Sequence, residues 1–185
     1  MSQHYTGPSA PVRDSPVPGG QPGDVIELIM EDHRRIRRLC QALDDAVCWS
    51  GGSGPVWVSA HVWERLSGLL QAHLRAEEEV CHLPMYGADA AERRREAVAD
   101  HDDIREAIGE ARLRPAGSRL WGVAAAAALT ITVEHLDREE RGPLAACLPR
   151  LTMRQRLELG RQYAGFVTAW TLDADPAGIH HRITT

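Results

Sequence analysis

Two segments of this chain set a histidine and a glutamate four residues apart: His73-Leu-Arg-Ala-Glu77 and His135-Leu-Asp-Arg-Glu139. Four residues of α-helix turn through about 400° and rise roughly 6 Å, so each pair shares one helix face. Both pairs lie in apolar stripes, on faces that point toward a core. An imidazole and a carboxylate buried together need a partner, and a metal ion is the simplest one that serves both. Two more histidines, His33 and His101, stand in apolar stripes of their own. A lone core histidine is ordinarily satisfied by a hydrogen bond. One on each of four stripes, two of them with glutamate at i+4, instead makes a converging donor set. Four imidazoles to divide and two carboxylates able to bridge suit a dinuclear centre of iron, manganese or zinc better than a mononuclear one. Structural zinc normally takes a closed set of four ligands, often with cysteine.

The elements that must position these residues are helical throughout. Asp24-Val-Ile-Glu27 has the form of a capping box. From it Ile26, Ile29, His33, Ile36, Cys40, Leu43 and Val47 recur in steps of three and four, which predicts a long first helix. Ser50-Gly-Gly-Ser-Gly54 breaks the pattern, and Pro55 suits the first turn of a second helix. That helix carries Val62, Leu66, Leu69, His73, Glu77 and Val80 on one face, and Pro84 and Gly87 end it. Asp89-Ala-Ala-Glu92 opens a third, with Ala97, His101, Ile104, Ile108 and Ala111. After Pro115 and Gly117, Ser118 caps a fourth, with Trp121, Ala124, Ala128, Ile131, His135 and Glu139, closing near Gly142-Pro143. Thr152-Met-Arg-Gln155 reads as the capping box of a fifth helix that reaches Trp170. Strand-like alternation is absent. The expected fold is all-α: an antiparallel up-down four-helix bundle with an additional C-terminal helix, spanning residues 24–172. Residues 1–23, with five prolines and four glycines, read as a disordered leader, and 173–185 as a flexible tail that includes His180 and His181.

The length of 185 residues fits one domain with a proper core. A net charge of −5 argues against general nucleic-acid binding, which needs a basic face. Cys40, Cys48, Cys81 and Cys147 show no CxxC pairing, so reduced thiols in a cytoplasmic protein are expected. No uncharged run reaches about 18 residues, so no membrane span is expected.

The order His33…His73-x-x-x-Glu77…His101…His135-x-x-x-Glu139 resembles the hemerythrin, or HHE cation-binding, superfamily. The surrounding residues agree: Glu31-Asp-His-Arg-Arg-Ile, His73-Leu-Arg-Ala-Glu-Glu-Glu, Asp100-His-Asp-Asp-Ile and Glu134-His-Leu-Asp-Arg-Glu-Glu. The resemblance implies a four-helix bundle around a non-haem centre of two iron ions, bridged by carboxylates and an oxo or hydroxo group. It implies Glu77 and Glu139 as the bridging carboxylates, His33 and His73 on one iron, and His101 and His135 on the other. The oxygen-carrying members have a second histidine four residues after the first on the third helix. Arg105 stands there in this chain, and an arginine does not serve as a ligand. They also carry His-x-x-x-x-Asp on the fourth helix, where this chain has the His-x-x-x-Glu of the bacterial and iron-sensing branches.

One iron is then a protein ligand short, which leaves a position for dioxygen, peroxide, nitric oxide or a substrate. Three functions follow from the resemblance. One is a protein that binds or consumes those small ligands, catalase- or peroxidase-like if it turns over. A second is an iron- or oxygen-sensing module, and the third an oxidase or oxygenase of a small organic substrate. Arg105 has two readings: an inward holder of an anion, or a surface arginine paired with Asp102 or Glu106. His61 falls about 120° from His73 and off the ligand face. His82 falls about 180° away and reads as a partly exposed histidine at a helix end. Glu78 and Glu140 turn about 100° from the ligand face and read as outer supports or solvated groups. Trp63 and Trp121 read as core filling, and Cys40 and Cys81 as inert buried thiols.

Overall fold

The computed structural model describes residues 23–48, 56–88 and 90–173. The leader before Gly23, the break from Ser50 to Pro55, Asp89 and the tail with His180 and His181 lie outside the described residues, as do the side chains of Val47 and Cys48. Asp24 caps α1 (Val25–Cys48), its Oδ1 accepting the Ile26 N–H at 3.0 Å. The same carboxylate takes the Arg156 guanidinium on both oxygens, which ties the start of the bundle to its last helix. The buried face of α1 is Ile26, Ile29, His33, Ile36, Cys40 and Leu43, as the spacing predicts.

In α2 (Val56–Ala76) the buried face is Trp63, Leu66, Leu70 and His73, with Val62 and Leu69 only partly covered. All five stripe residues of α4 (Ala91–Arg112) are buried. Ser118 caps α5 (Arg119–Glu139), its Oγ accepting the Trp121 N–H at 3.1 Å. The face of α5 differs slightly from expectation. Ala125 and Thr132 are buried where Ala124 and Ile131 were expected, because in this alanine-rich run small residues on every side leave the period weakly marked. A reciprocal capping box opens α7 (Met153–Asp173): Thr152 N–H donates to Gln155 Oε1 at 2.9 Å, and Gln155 N–H to Thr152 Oγ1 at 3.4 Å.

Pro84 does not end the second helix, nor Gly142-Pro143 the fourth. The chain passes through a π-turn at Glu77–Cys81 into α3 (His82–Tyr86), and through another at Glu140–Leu144 into α6 (Ala145–Cys147). Proline has no N–H to give, and its ring crowds the carbonyl four residues back. A π-turn closes hydrogen bonds over five residues, as His82 N–H does to Glu77 O, and one such turn precedes Pro84 while the other contains Pro143. Gly87, at φ 84°, is the true stop.

The pairs α1–α2 and α4–α5 make the main antiparallel contacts of an all-α up-down bundle, and α7 packs against α1 and α2. Gly160 lets α7 cross the start of α1 backbone to backbone, since an ideal Cβ there would lie 1.8 Å from the Gly23 carbonyl oxygen. Two apolar clusters fill the interior. One gathers Ile36, Leu43, Leu66, Leu70, Ile104 and Ile108 with the edge-to-face pair Trp63 and Trp121. The other gathers Val25, Ile26, Ile29, Met85, Leu144 and Tyr163. His33 lies between Ile29 of the second and Ile36 of the first, so the polar layer is enclosed by hydrocarbon on both sides. Among the described residues no helix is long and apolar enough to cross a membrane.

Candidate metal centre

The six residues singled out by spacing meet in that layer. His33, His73, Glu77 and Glu139 each offer a ligand atom within 4.8 Å of the others, and all four are buried. His33 Nε2 lies 3.3 Å from Glu139 Oε2 and 4.0 Å from Glu77 Oε1, while His73 Nε2 lies 3.2 Å from the same Glu77 oxygen. The other Glu77 oxygen, Oε2, faces His101 Nε2 at 3.5 Å. His135 Nε2 lies 3.8 Å from Glu139 Oε2. The rings pair off edge to face, His33 with His73 at 5.0 Å and His101 with His135 at 4.8 Å. Glu77 therefore spans two imidazole pairs with one oxygen toward each.

The far sides of three of the rings, His33, His73 and His101, are held from outside. His33 Nδ1 lies 2.8 Å from Glu140 Oε1, and His101 Nδ1 lies 2.9 Å from Glu78 Oε1. A carboxylate only accepts, so each imidazole carries its proton on Nδ1 and turns a lone pair on Nε2 inward. An arginine four residues after each histidine then braces the outer carboxylate. Arg37 Nη1 reaches Glu140 Oε1 at 2.6 Å, and Arg105 Nη2 reaches Glu78 Oε1 at 2.6 Å. His73 is held differently. Its Nδ1 lies 2.9 Å from Tyr163 Oη, and that hydroxyl donates to Asp32 Oδ2 at 2.8 Å. In this relay the tyrosine oxygen accepts the His73 proton, leaving the third inward lone pair.

Electrostatics follow from this enclosure. Burial pushes His73 well below its ordinary value and His135 down to about 4, so both are neutral donors. Burial would lower His33 too, but Glu139 and Glu140 outweigh it and raise it. Burial and the neighbouring Glu139 carboxylate push Glu77 well up, toward a protonated form that a cation would reverse. Burial works the same way on Glu139, yet the hydrogen bond and charge of His33 hold it below the usual range. For Glu78, His101 and Arg105 overcome burial and bring it down to about 2.

Several residues sit where spacing alone did not put them. Arg105 turns outward to Glu78 and to Asp102 (2.8 Å), so the surface pairing with Asp102 holds and the inward reading does not. His82 is 5% exposed, not a partly exposed terminal histidine, and its ring lies 5.1 Å from that of His101. The reason is the π-turn, which adds one residue to the helix and rotates everything after it by about 100°. Spacing gives no sign of Tyr163, Asp32 and Arg37, because an aromatic in an apolar stripe and charges beside a motif carry no distinctive signal. His61 is exposed, as expected. Cys40, Cys81 and Cys147 are buried free thiols, and burial pushes Cys40 up to about 12 and Cys147 to about 11, which keeps them inert.

The donor chemistry fits a cation. His33 Nε2, His73 Nε2, both Glu77 oxygens, His135 Nε2 and Glu139 Oε2 are buried without a hydrogen-bond partner. Leaving that many polar atoms unpaired in one layer costs several kcal/mol, on the order of 1–3 for each. They face one another, and the opposite sides of His33 and His73 are already occupied, so a shared positive ion satisfies the inward atoms at once. A model described as the hemerythrin HHE cation binding domain matches residues 24–147. No curated protein and no solved structure matches the chain. The matched segment holds all six central residues and both outer glutamates. The chain belongs to the hemerythrin HHE cation-binding family, and it is a metal-binding domain with its donors in the bundle core.

Proposed function

We propose that this protein holds two iron ions between its helices and binds or consumes dioxygen, peroxide or nitric oxide there. The observation that carries the reading is the layer of unpartnered inward donors, with the outer nitrogens of His33, His73 and His101 each fixed by a partner. His33 and His73 would serve one ion, His101 and His135 the other, with Glu77 and Glu139 shared. Bound iron would supply reversible one-electron redox chemistry toward these small ligands. The chain's own part is positional. Glu140, Glu78 and Tyr163 keep protons on the outward imidazole nitrogens, and the two apolar clusters exclude bulk water from the layer. Buried reduced thiols suit the cytoplasmic placement that we infer.

A second reading, metal-dependent sensing, draws on the Tyr163 relay. It links His73 directly to α7, so metal occupancy would bear on how firmly that helix docks. Metal analysis with optical spectra before and after peroxide tests both. About two irons per chain, a near-ultraviolet charge-transfer band and rapid peroxide disproportionation support the first reading. Iron without turnover, together with loss of α7 protection on chelation, supports the second. A stably folded protein that takes up no metal refutes the centre altogether.

A further inference from the structure

We infer that His82 is a fifth imidazole ligand of this centre, serving the same metal ion as His101 and His135. The assignment rests on the proposed metal centre and adds a ligand to it. Along a regular helix His82, five residues after Glu77, would sit about 140° from it and outside the donor face. The π-turn at Glu77–Cys81 changes that. One inserted residue makes His82 equivalent to position i+4, about 40° from Glu77 and on the same face. Glu77 is thus flanked along its own helix by His73 on one side and His82 on the other. The structure bears this out in space: Glu77, His82 and His101 each offer a ligand atom within 4.8 Å of the others, and all three are buried. Tyr86 packs edge to face on the His82 ring at 5.6 Å and fixes its plane.

The placement also answers a departure from the oxygen carriers. Arg105, at the position of their second helix-three histidine, is turned outward and committed to Glu78 and Asp102. An imidazole from the second helix stands beside His101 instead. The donors then divide unequally: His33 and His73 on one side, His82, His101 and His135 on the other, with the two glutamates common to both. The side with fewer protein donors is therefore that of His33 and His73, the reverse of what Arg105 by itself implies. An exogenous ligand enters there.

Anaerobic titration of the metal-free protein with Co2+ tests the assignment through binding and spectrum, without turnover. The wild type takes two equivalents. His82→Gln keeps the first and weakens the second by more than about 100-fold, beyond the 10–100-fold loss typical when only a supporting residue is removed. His82→Cys supplies a positive signature, a thiolate-to-cobalt charge-transfer band in the near ultraviolet that the wild type lacks. Second-equivalent affinity within about threefold of wild type in His82→Gln overturns the assignment and leaves the centre standing. Should that variant fail to fold, His82→Cys decides: a folded protein with both Co2+ bound and no such band overturns it equally. A wild type that binds no Co2+ defeats the metal centre first, and this ligand with it.

Discussion

Tyr163→Phe isolates the contribution of the last helix to the metal layer. The ring stays in its apolar cluster, so no cavity opens, and only the hydroxyl that joins His73 to Asp32 is lost. The His73 Nδ1–H is then left in a fully buried site without its acceptor, a penalty of about 1–3 kcal/mol. Asp32 loses less, because Arg35 still approaches it at 3.4 Å and burial already pushes it toward the neutral form. A total of about 2–3 kcal/mol follows for the metal-free protein, read by urea denaturation followed by circular dichroism. Metal affinity should fall as well, by about 10–100-fold at the His33/His73 position only, since Glu78 continues to hold His101. Stepwise Co2+ titration separates the two positions. A stability loss under about 0.5 kcal/mol, with both affinities within about threefold, would show that the tyrosine orients nothing.

The outer carboxylates should act as a matched pair: Glu78→Gln weakens metal at the His101 position and Glu140→Gln at the His33 position, each by about 10–100-fold in equilibrium titrations. Equal effects of either substitution on both positions would contradict the separate bracing described above. Gly160→Ala forces a methyl group against the Gly23 carbonyl, and backbone on both sides leaves displacement of α7 as the only relief, so denaturation should show a loss of about 1–3 kcal/mol or more. Acidity should act through Glu77 and His33, both raised above their ordinary values. Their protons stabilise the metal-free fold at low pH and are lost as pH rises through the raised values, whereas a bound cation must displace them. The melting-temperature gap between metal-loaded and chelated protein should therefore widen from about pH 5.5 to about pH 8, affinity gaining about tenfold per unit for each proton displaced. A gap that narrows over that range would reverse the sign.

Helices, caps and the convergence of the central histidines and glutamates are legible in the sequence because they obey a regular period. His33, His73, His101 and His135 recur with apolar neighbours at steps of three and four, and the helix keeps that phase as far as Glu77. Past Glu77 the phase is lost. Pro84 and Pro143 read as terminators, whereas each marks a helix that widens by one residue and continues. For the same reason spacing sets His82 on the wrong face, since it presumes a regular turn that the chain does not make. Spacing puts Glu78 and Glu140 on the face they occupy but not their arginine partners, because an arginine at i+4 from a histidine is commonplace on a solvated helix. Tyr163 lies 90 residues from His73, and no local pattern announces a contact of that separation.

The position of α7 bears on where this domain can be cut. The family match stops at residue 147, six residues before α7 begins. A chain trimmed there would retain every central histidine and glutamate and both outer carboxylates, yet lose Tyr163 from His73 and Arg156 from Asp24. Asp24, at the start of the first helix, would lose its guanidinium partner, and a whole flank of α1 and α2 would be bared to water. The recognisable segment is thus shorter than the self-sufficient one, and the remaining helix is part of the fold's closure.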